Sequence, residues 1–167
     1  VERLVGEKIT ALKTWGKHFL ICFKDFTVRV HLLMFGDYEI NARKKRTPRL
    51  GLIFNDSELN FYTCSVKLLE GSVNEHYDFA ADVMNDRWDT RAAKKKMKAK
   101  PDELICDILL DQDIFSGVGN IIKTEVLYRV RIHPESIVGK IPDAKLRVIT
   151  KEAQTYAFEF LKYKKQK

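Results

Sequence analysis

Apolar and polar positions alternate along the first part of the chain. Val28, Val30 and Leu32 are separated by Arg29 and His31, the period-two pattern of a half-buried strand. Leu50, Leu52 and Phe54 repeat it, and after an Asn55-Asp56-Ser57 turn Leu59, Phe61 and Thr63 continue it. Residues 18–23 form a short apolar run closed by a Lys24-Asp25 turn. Several short strands joined by tight polar turns suggest an antiparallel sandwich or barrel.

The pattern changes after Gly71. Residues 78–90 carry few strand signals and are expected to begin a helix. Pro101-Asp102-Glu103 reads as a helix start, because proline tolerates the first turn and the acids complement its positive end. Leu104, Ile105, Ile108, Leu109 and Gln112 then share one face. Another helix is expected from Ile121 to about Arg131, with Ile122, Val126 and Val130 stacked and Pro134 blocking its extension. A last one begins near Pro142-Asp143 and carries Leu146, Ile149, Ala153, Ala157, Phe160 and Leu161 at steps of three and four. The chain therefore reads as α+β, a β part over residues 1–75 followed by a helical part over 76–167, with no internal repeat.

At 45% hydrophobic and 32% charged residues, a chain of 167 can bury a core, which excludes a disordered segment. No apolar run approaches membrane-spanning length and the start lacks a signal-peptide shape, so a cytoplasmic protein away from membranes is expected. Cys22, Cys64 and Cys106 are far apart and form no C-x-x-C pair. That argues against a disulfide framework and against a metal site within this chain, and for a reducing compartment. The net charge of +7 favours an acidic partner, nucleic acid before an anionic membrane. The excess is clustered at Arg43-Lys44-Lys45-Arg46, at Arg91 with Lys94-Lys95-Lys96, Lys98 and Lys100, and at Lys162, Lys164, Lys165 and Lys167. Solvated loops and a frayed tail would give each cluster singly; three without a matching acidic block point to nucleic acid.

Between the two central helical patterns lies Gly117-Val118-Gly119-Asn120. Asn120 sits where an N-cap belongs, just before Ile121, and its side-chain oxygen could satisfy a first-turn amide. The remaining amides and the helix dipole attract an anion. Gly117 and Gly119 can adopt positive φ and carry no side chain to hold a phosphate away. The loop reads as a phosphate cradle, with a ligand-free glycine-rich helical hairpin as the alternative.

The stretch "LLDQDIFSGVGNIIKTEVLYRVRIHPES" resembles the helix–two-turn–helix element of the formamidopyrimidine-DNA glycosylase/endonuclease VIII (Fpg/Nei) family. Leu110-Asp111-Gln112, Gly117-Val118-Gly119-Asn120, Glu125 and Ile132-His133-Pro134 fall in the family's order. "LVGEKI", residues 4–9, is similar to its first strand, and "GKHFLICF…VRVHLLMFG", residues 16–36, to its lysine-bearing and histidine–methionine strands. The resemblance is weak from 37 to 100.

It implies an N-terminal antiparallel β-sandwich followed by a helical helix–two-turn–helix domain, acting as a monomer on duplex DNA that contains damaged bases or abasic sites. The damaged nucleotide is flipped out because its reacting atoms are inaccessible in the stack. By family role, Asn120 and Gly119 hold a phosphate beside the lesion, Lys17 pairs with phosphate near the flipped sugar, and Met34 fills the gap left by the base. His31 is structural or phosphate-adjacent, Arg49 and Lys100 are backbone contacts, and Glu125 organises the phosphate loop. In a bacterial cell such a protein would accompany the nucleoid.

Three family features depart. The nucleophile is the amine of an N-terminal proline followed by glutamate; it attacks the anomeric carbon, forms a Schiff base and drives elimination. Val1-Glu2 lacks the Gly-Pro that should follow, and Leu4-Val5-Gly6 comes too soon, so no catalytic residue is expected in this chain and this form is expected to be inactive. The C-terminal zinc finger is absent as well, so the chain is expected to hold no cofactor and zinc to belong to the full-length protein. The arginine–phenylalanine loop that wedges the opposite strand should fall near residues 64–69, which read Cys-Ser-Val-Lys-Leu-Leu. The functional expectation is a base-excision-repair glycosylase with abasic-site lyase activity; the alternative is a non-catalytic nucleic-acid-binding module.

Overall fold

Among the described residues, seven strands form two antiparallel sheets in the first part of the chain. They are β1 (Ala11–Trp15), β2 (His18–Cys22), β3 (Phe26–His31), β4 (Asp37–Ile40), β5 (Leu50–Ile53), β6 (Glu58–Tyr62) and β7 (Ser65–Glu70). The structure is a computed structural model that describes residues 2–166; Val1, read above as no nucleophile, and Lys167 of the last basic cluster lie outside the described residues. β1-β2-β3-β7 form one sheet in that order, and β4-β6-β5 the other. Ile21, Val28 and Val30 of the first sheet share one apolar cluster with Leu50 and Phe61 of the second. The sheets therefore pack face to face as a sandwich, each with one apolar face turned inward.

In β3 the alternation works as written. Val28 and Val30 are buried, while Arg29 and His31 are half-buried on the other face. That outer face is covered in part by Tyr77, whose ring packs 4.9 Å from Trp15 and 5.8 Å from His18. Tyr77 follows a one-turn helix, α1 (Val73–His76), that ends this unit.

Two sequence expectations fail here. Residues 4–9 are not a strand. Glu2–Leu4 is a 3-10 turn, the Glu7 amide donates to the Leu4 carbonyl at 3.3 Å, and Leu4 and Ile9 reach the core from irregular backbone. Residues 65–70 are not a loop: β7 pairs with the whole of β3, from Phe26↔Glu70 to His31↔Ser65. Val66, Leu68 and the β-hydrogen bonds there override a motif expectation made by position alone.

The described residues divide into two compact units between Tyr77 and Asp78. The second holds α2 (Thr90–Lys98), α3 (Ile105–Ile108), α4 (Asn120–Val130) and α5 (Asp143–Lys165). Ile105, Ile108, Leu109, Val126, Ile149 and Ala153 are buried in its single core. α4 and α5 are also tied by Arg129, which donates to Glu125, Glu152 and Glu159, each at 2.8 Å, with its guanidinium 4.6 Å from the centre of the Tyr156 ring.

Helix starts differ from the sequence pattern. Residues 78–90 begin only a 3-10 turn, Phe79–Ala81 capped by Asp78, after which Asp82 and Asn85 each accept from the amide two residues on. These two local side-chain bonds compete with helical ones, and α2 starts at Thr90, where Asp89 caps it. Pro101-Asp102-Glu103 is a turn rather than a first helical turn, and α3 is a single turn beginning at Ile105. The apolar spacing of Ile105, Ile108 and Leu109 reports their burial correctly, but Leu104 is already extended.

Candidate nucleic-acid interface

The loop before α4 is built around the side chain of Gln112. Its amide nitrogen donates to the carbonyls of Leu110 at 2.8 Å and Val118 at 3.1 Å, and its oxygen accepts from the Gly117 amide at 3.1 Å. Ile114, Phe115 and Val118 are buried, so the loop is pinned from below by apolar packing and across its width by one glutamine. Gly117 has φ +95°, which a side chain would resist, and this turns the chain into α4. Gly119 does not use that freedom, since its φ is −129°.

Asn120 is not the cap. Gly119 occupies the N-cap position with extended backbone and no side-chain cap, and Asn120 is the first helical residue. The shift follows from Gly119: its carbonyl already accepts the first intrahelical bond, from Lys123 N at 2.9 Å. The exposed Asn120 instead accepts from Lys123 Nζ through Oδ1 at 3.0 Å. An uncapped helix N-terminus, with its free amides and dipole, flanked by an amide side chain and a lysine, can take one phosphate oxygen. Lys123 was missed in the sequence, although a lysine three residues beyond Asn120 on a helix falls on the same face.

Two other expected residues lie in this unit. Lys100 donates to Asp111 at 2.6 Å, which raises its pKa and engages part of its charge. Glu125 points to Arg129 and through it to α5, so its carboxylate braces the two helices rather than the loop.

In the first unit the structure brings Lys17 and His31 together. Lys17 stands in the two-residue turn between β1 and β2, and the register His18↔His31 puts the end of β3 beside it. His18 and His31 rings are 5.0 Å apart, edge to face. Desolvation lowers the Lys17 pKa. Burial, then Arg29, His31 and Lys17, holds the His18 pKa down to about 4, and His31 is lowered by burial, Lys17 and Arg29. His18 Nδ1 and Arg29 Nε are buried without a hydrogen-bond partner. Cations and neutral imidazoles thus gather at one end of this sheet, a setting for an anion. Neither His18 nor Arg29 was singled out from sequence: in a strand pattern they read as the polar half of an alternation.

Met34 is exposed in the turn after β3, and Arg49 is exposed just before β5. The basic cluster 43–46 is largely balanced. Arg43 pairs with Glu58, Lys44 with Asp37 and Glu39, and Arg46 with Asp37. Lys94 and Lys98 share Asp143, and Lys96 pairs with Asp78. The acids that match these clusters are scattered along the chain, some nearby (Asp37, Glu39) and some distant (Glu58, Asp78, Asp143), so no acidic block was visible. Among the described residues no group of three or more His, Cys, Asp or Glu could hold a metal ion, so this stretch does not fit a zinc site.

Residues 79–165, just over half of the chain, match the formamidopyrimidine-DNA glycosylase H2TH domain. The chain belongs to the Fpg/Nei family. It is 28% identical over 163 residues to the endonuclease 8-like 3 of Mus musculus, covering 93% of this chain and 27% of that protein. The Xenopus laevis endonuclease 8-like 3 is 30% identical over 97% of this chain and 28% of its own length. The formamidopyrimidine-DNA glycosylase of Carboxydothermus hydrogenoformans is 30% identical over 84% of this chain and 54% of its own. This Fpg/Nei chain thus spans about a quarter to a half of those relatives. Its fold is that of the wild-type Lactococcus lactis Fpg in complex with a DNA containing N7-benzyl-Fapy-dG, at a TM-score of 0.81 and 22% identity over 96% of this chain and 64% of that one.

Proposed function

We propose that this chain is the duplex-holding portion of a base-excision-repair DNA glycosylase with abasic-site lyase activity, acting as a monomer on oxidised bases or abasic sites in the cell's DNA. The observation that carries this reading is the Gln112-braced loop, which presents the uncapped start of α4 beside Asn120 and Lys123. Family membership supports it, as do the Lys17–His31 end of the first sheet and the net charge of +7. In this reading Asn120, Gly119 and Lys123 grip one phosphate. Lys17 takes another, with His31 beside it and Arg49 and Lys100 as outer backbone contacts. No helix among the described residues is long and apolar enough to cross a membrane. Zinc belongs, in the same reading, to a C-terminal finger of the longer protein, and no step of the reading runs through it.

Phosphate contacts position a duplex and carry no sequence information. Asn120→Ala should therefore weaken binding to intact and tetrahydrofuran-containing duplex alike, by about tenfold for one charge-neighbouring hydrogen bond. Fluorescence anisotropy reads this directly, and unchanged affinity would remove the cradle. Equal affinity of the unmodified chain for intact and abasic duplex would favour the binding-module alternative. For the lyase step, borohydride trapping of the full-length gene product on an abasic duplex should give a covalent adduct; no adduct would contradict it.

A further inference from the structure

Where α4 ends, residues 131–145 enclose a cavity of about 470 Å³. Its floor is aliphatic. Ile132 and Ile141 pack one side against the core of the second unit and are only half-buried, and Ile137 adds to the same surface. Its rim is cationic: Arg131, Lys140 and Lys145 line it, and Glu135 is the one acid among the described lining residues. Lys145 donates to the Val130 carbonyl at 2.7 Å, so its charge is engaged with the negative end of α4. Among the described residues neither Arg131 nor Lys140 forms an ion pair, in contrast to Lys94, Lys96 and Lys98. The walls are held by backbone. The Ile105 and Cys106 amides donate to the Ser136 and Pro134 carbonyls at 2.9 and 3.1 Å, and the Val138 amide to the Glu103 carbonyl at 3.0 Å.

Arg131 is held in a strained conformation. Like Leu33, Asn41 and Thr63 elsewhere, it is a non-glycine residue at positive φ, +53°, and it forms the C-cap of α4, where glycine would sit without strain. An arginine kept at such a position points to a use for its guanidinium. We propose that the cavity is a docking site for an acidic protein segment, with an aliphatic side chain on the isoleucine floor and carboxylates on Arg131 and Lys140. The site is separate from the phosphate loop: α4 has 11 residues and so spans about 16 Å, with Asn120 at one end and the cavity at the other. A nucleic-acid strand fits it poorly. A phosphate gains nothing from an aliphatic floor, and no Phe, Tyr or Trp among the described residues lines the cavity to stack a base. A leucine flanked by carboxylates matches both parts, because the apolar group leaves water at the centre while the charges pair at the edge. The planar guanidinium can take a carboxylate through two parallel hydrogen bonds.

The test uses the 167-residue chain and a short fluorescein-labelled peptide in which leucines alternate with glutamate–aspartate pairs. Anisotropy should rise on titration, and the affinity should fall as salt is added. In amide proton–nitrogen correlation spectra the peptide should shift residues 131–145 and leave residues 117–123 in place. Arg131→Gly should bind the peptide about tenfold more weakly, the effect of one charge-assisted hydrogen bond. Its urea midpoint should stay near the parent's, because glycine suits the cap, and its duplex affinity should stay at the parent's value. Lys140→Gln should weaken the peptide as well, and a peptide with serine in place of leucine should bind less tightly because the floor stays empty. No shift within residues 131–145, or equal peptide affinity of the parent and Arg131→Gly, overturns the proposal. So does a duplex that shifts the same amides and binds Arg131→Gly more weakly, which would make the rim a further nucleic-acid contact. A concentration-dependent dimer that Arg131→Gly abolishes would overturn it too, giving the cavity to a second copy of the chain.

Discussion

Asn120 shows how a residue can be singled out by sequence and still be given the wrong mechanical task. The pattern Gly-Asn-Ile-Ile suggests an asparagine cap, because asparagine is a good cap and glycine an ordinary one. A shift of one residue, invisible in the pattern, makes Gly119 the cap and frees Asn120 for Lys123. A cap lost to alanine costs about 0.5–2 kcal/mol, whereas alanine at the first helical position costs little. Asn120→Ala should therefore leave the unfolding free energy from a urea titration within about 0.5 kcal/mol of the parent while weakening duplex binding; a loss of stability matching the loss of affinity would mean that the residue is structural. His18 gives a second residue-scale expectation, with a definite sign. Its unfolded imidazole takes up a proton near pH 6.5, while the folded one resists until about pH 4. Between those values the unfolded state binds more protons, so stability rises with pH there and falls as pH drops towards 4. His31 shifts in the same direction. His18→Gln should flatten this part of the stability–pH profile by on the order of 1 kcal/mol after solvent screening, and an unchanged profile would contradict the burial of a neutral imidazole.

At the scale of elements, β2, β3, β5 and β6 were legible and β1, β4 and β7 were not. β3 lies between β2 and β7 and has a clear alternation. β1, β4 and β7 are sheet edges; β4 and β7 bury no residue and β1 only Trp15, so their sequences lack the contrast between faces that reveals a strand. The helices followed similar lines: α4 and α5 were visible from spacing, whereas residues 78–90 were hidden by side chains bonding to their own backbone. The turn at 33–36 belongs to this scale too. Its geometry needs a glycine at 36, since the nearest atom to an added Cβ is backbone and cannot swing aside. Gly36→Ala should destabilise the first unit by about 2 kcal/mol or more, readable as a lowered urea midpoint, while Leu33→Gly should relax the positive φ and cost little stability. Arg129 is the corresponding device in the second unit. Arg129→Met leaves Glu125, Glu152 and Glu159 facing one another without their cation. The loss, on the order of 1 kcal/mol for a partly exposed network, should shrink as salt is raised. A loss independent of salt would point to packing on Tyr156 instead.

Over the whole molecule, charge is the feature most easily misread. The sequence shows a surplus of +7 in three clusters, and the fold answers much of two of them with carboxylates brought from elsewhere. What remains for a polyanion is more specific: the start of α4 with Asn120 and Lys123 in one unit, and the end of the first sheet with Lys17 and His31 in the other. Each can order a phosphate because backbone geometry has already fixed it, by Gln112 across the loop in one case and by strand register in the other. The resemblance named candidate phosphate-binding residues, yet it could not show which lysines are already spent on ion pairs within the fold. A salt titration of duplex binding, comparing the parent chain with Asn120→Ala on abasic-analogue and intact DNA, tests this most directly. The account predicts that log K falls linearly with log salt, by about 0.9 for each phosphate neutralised, and that Asn120→Ala shifts both lines down by a similar amount. Salt-independent binding, or lines that coincide with the parent's, would contradict it.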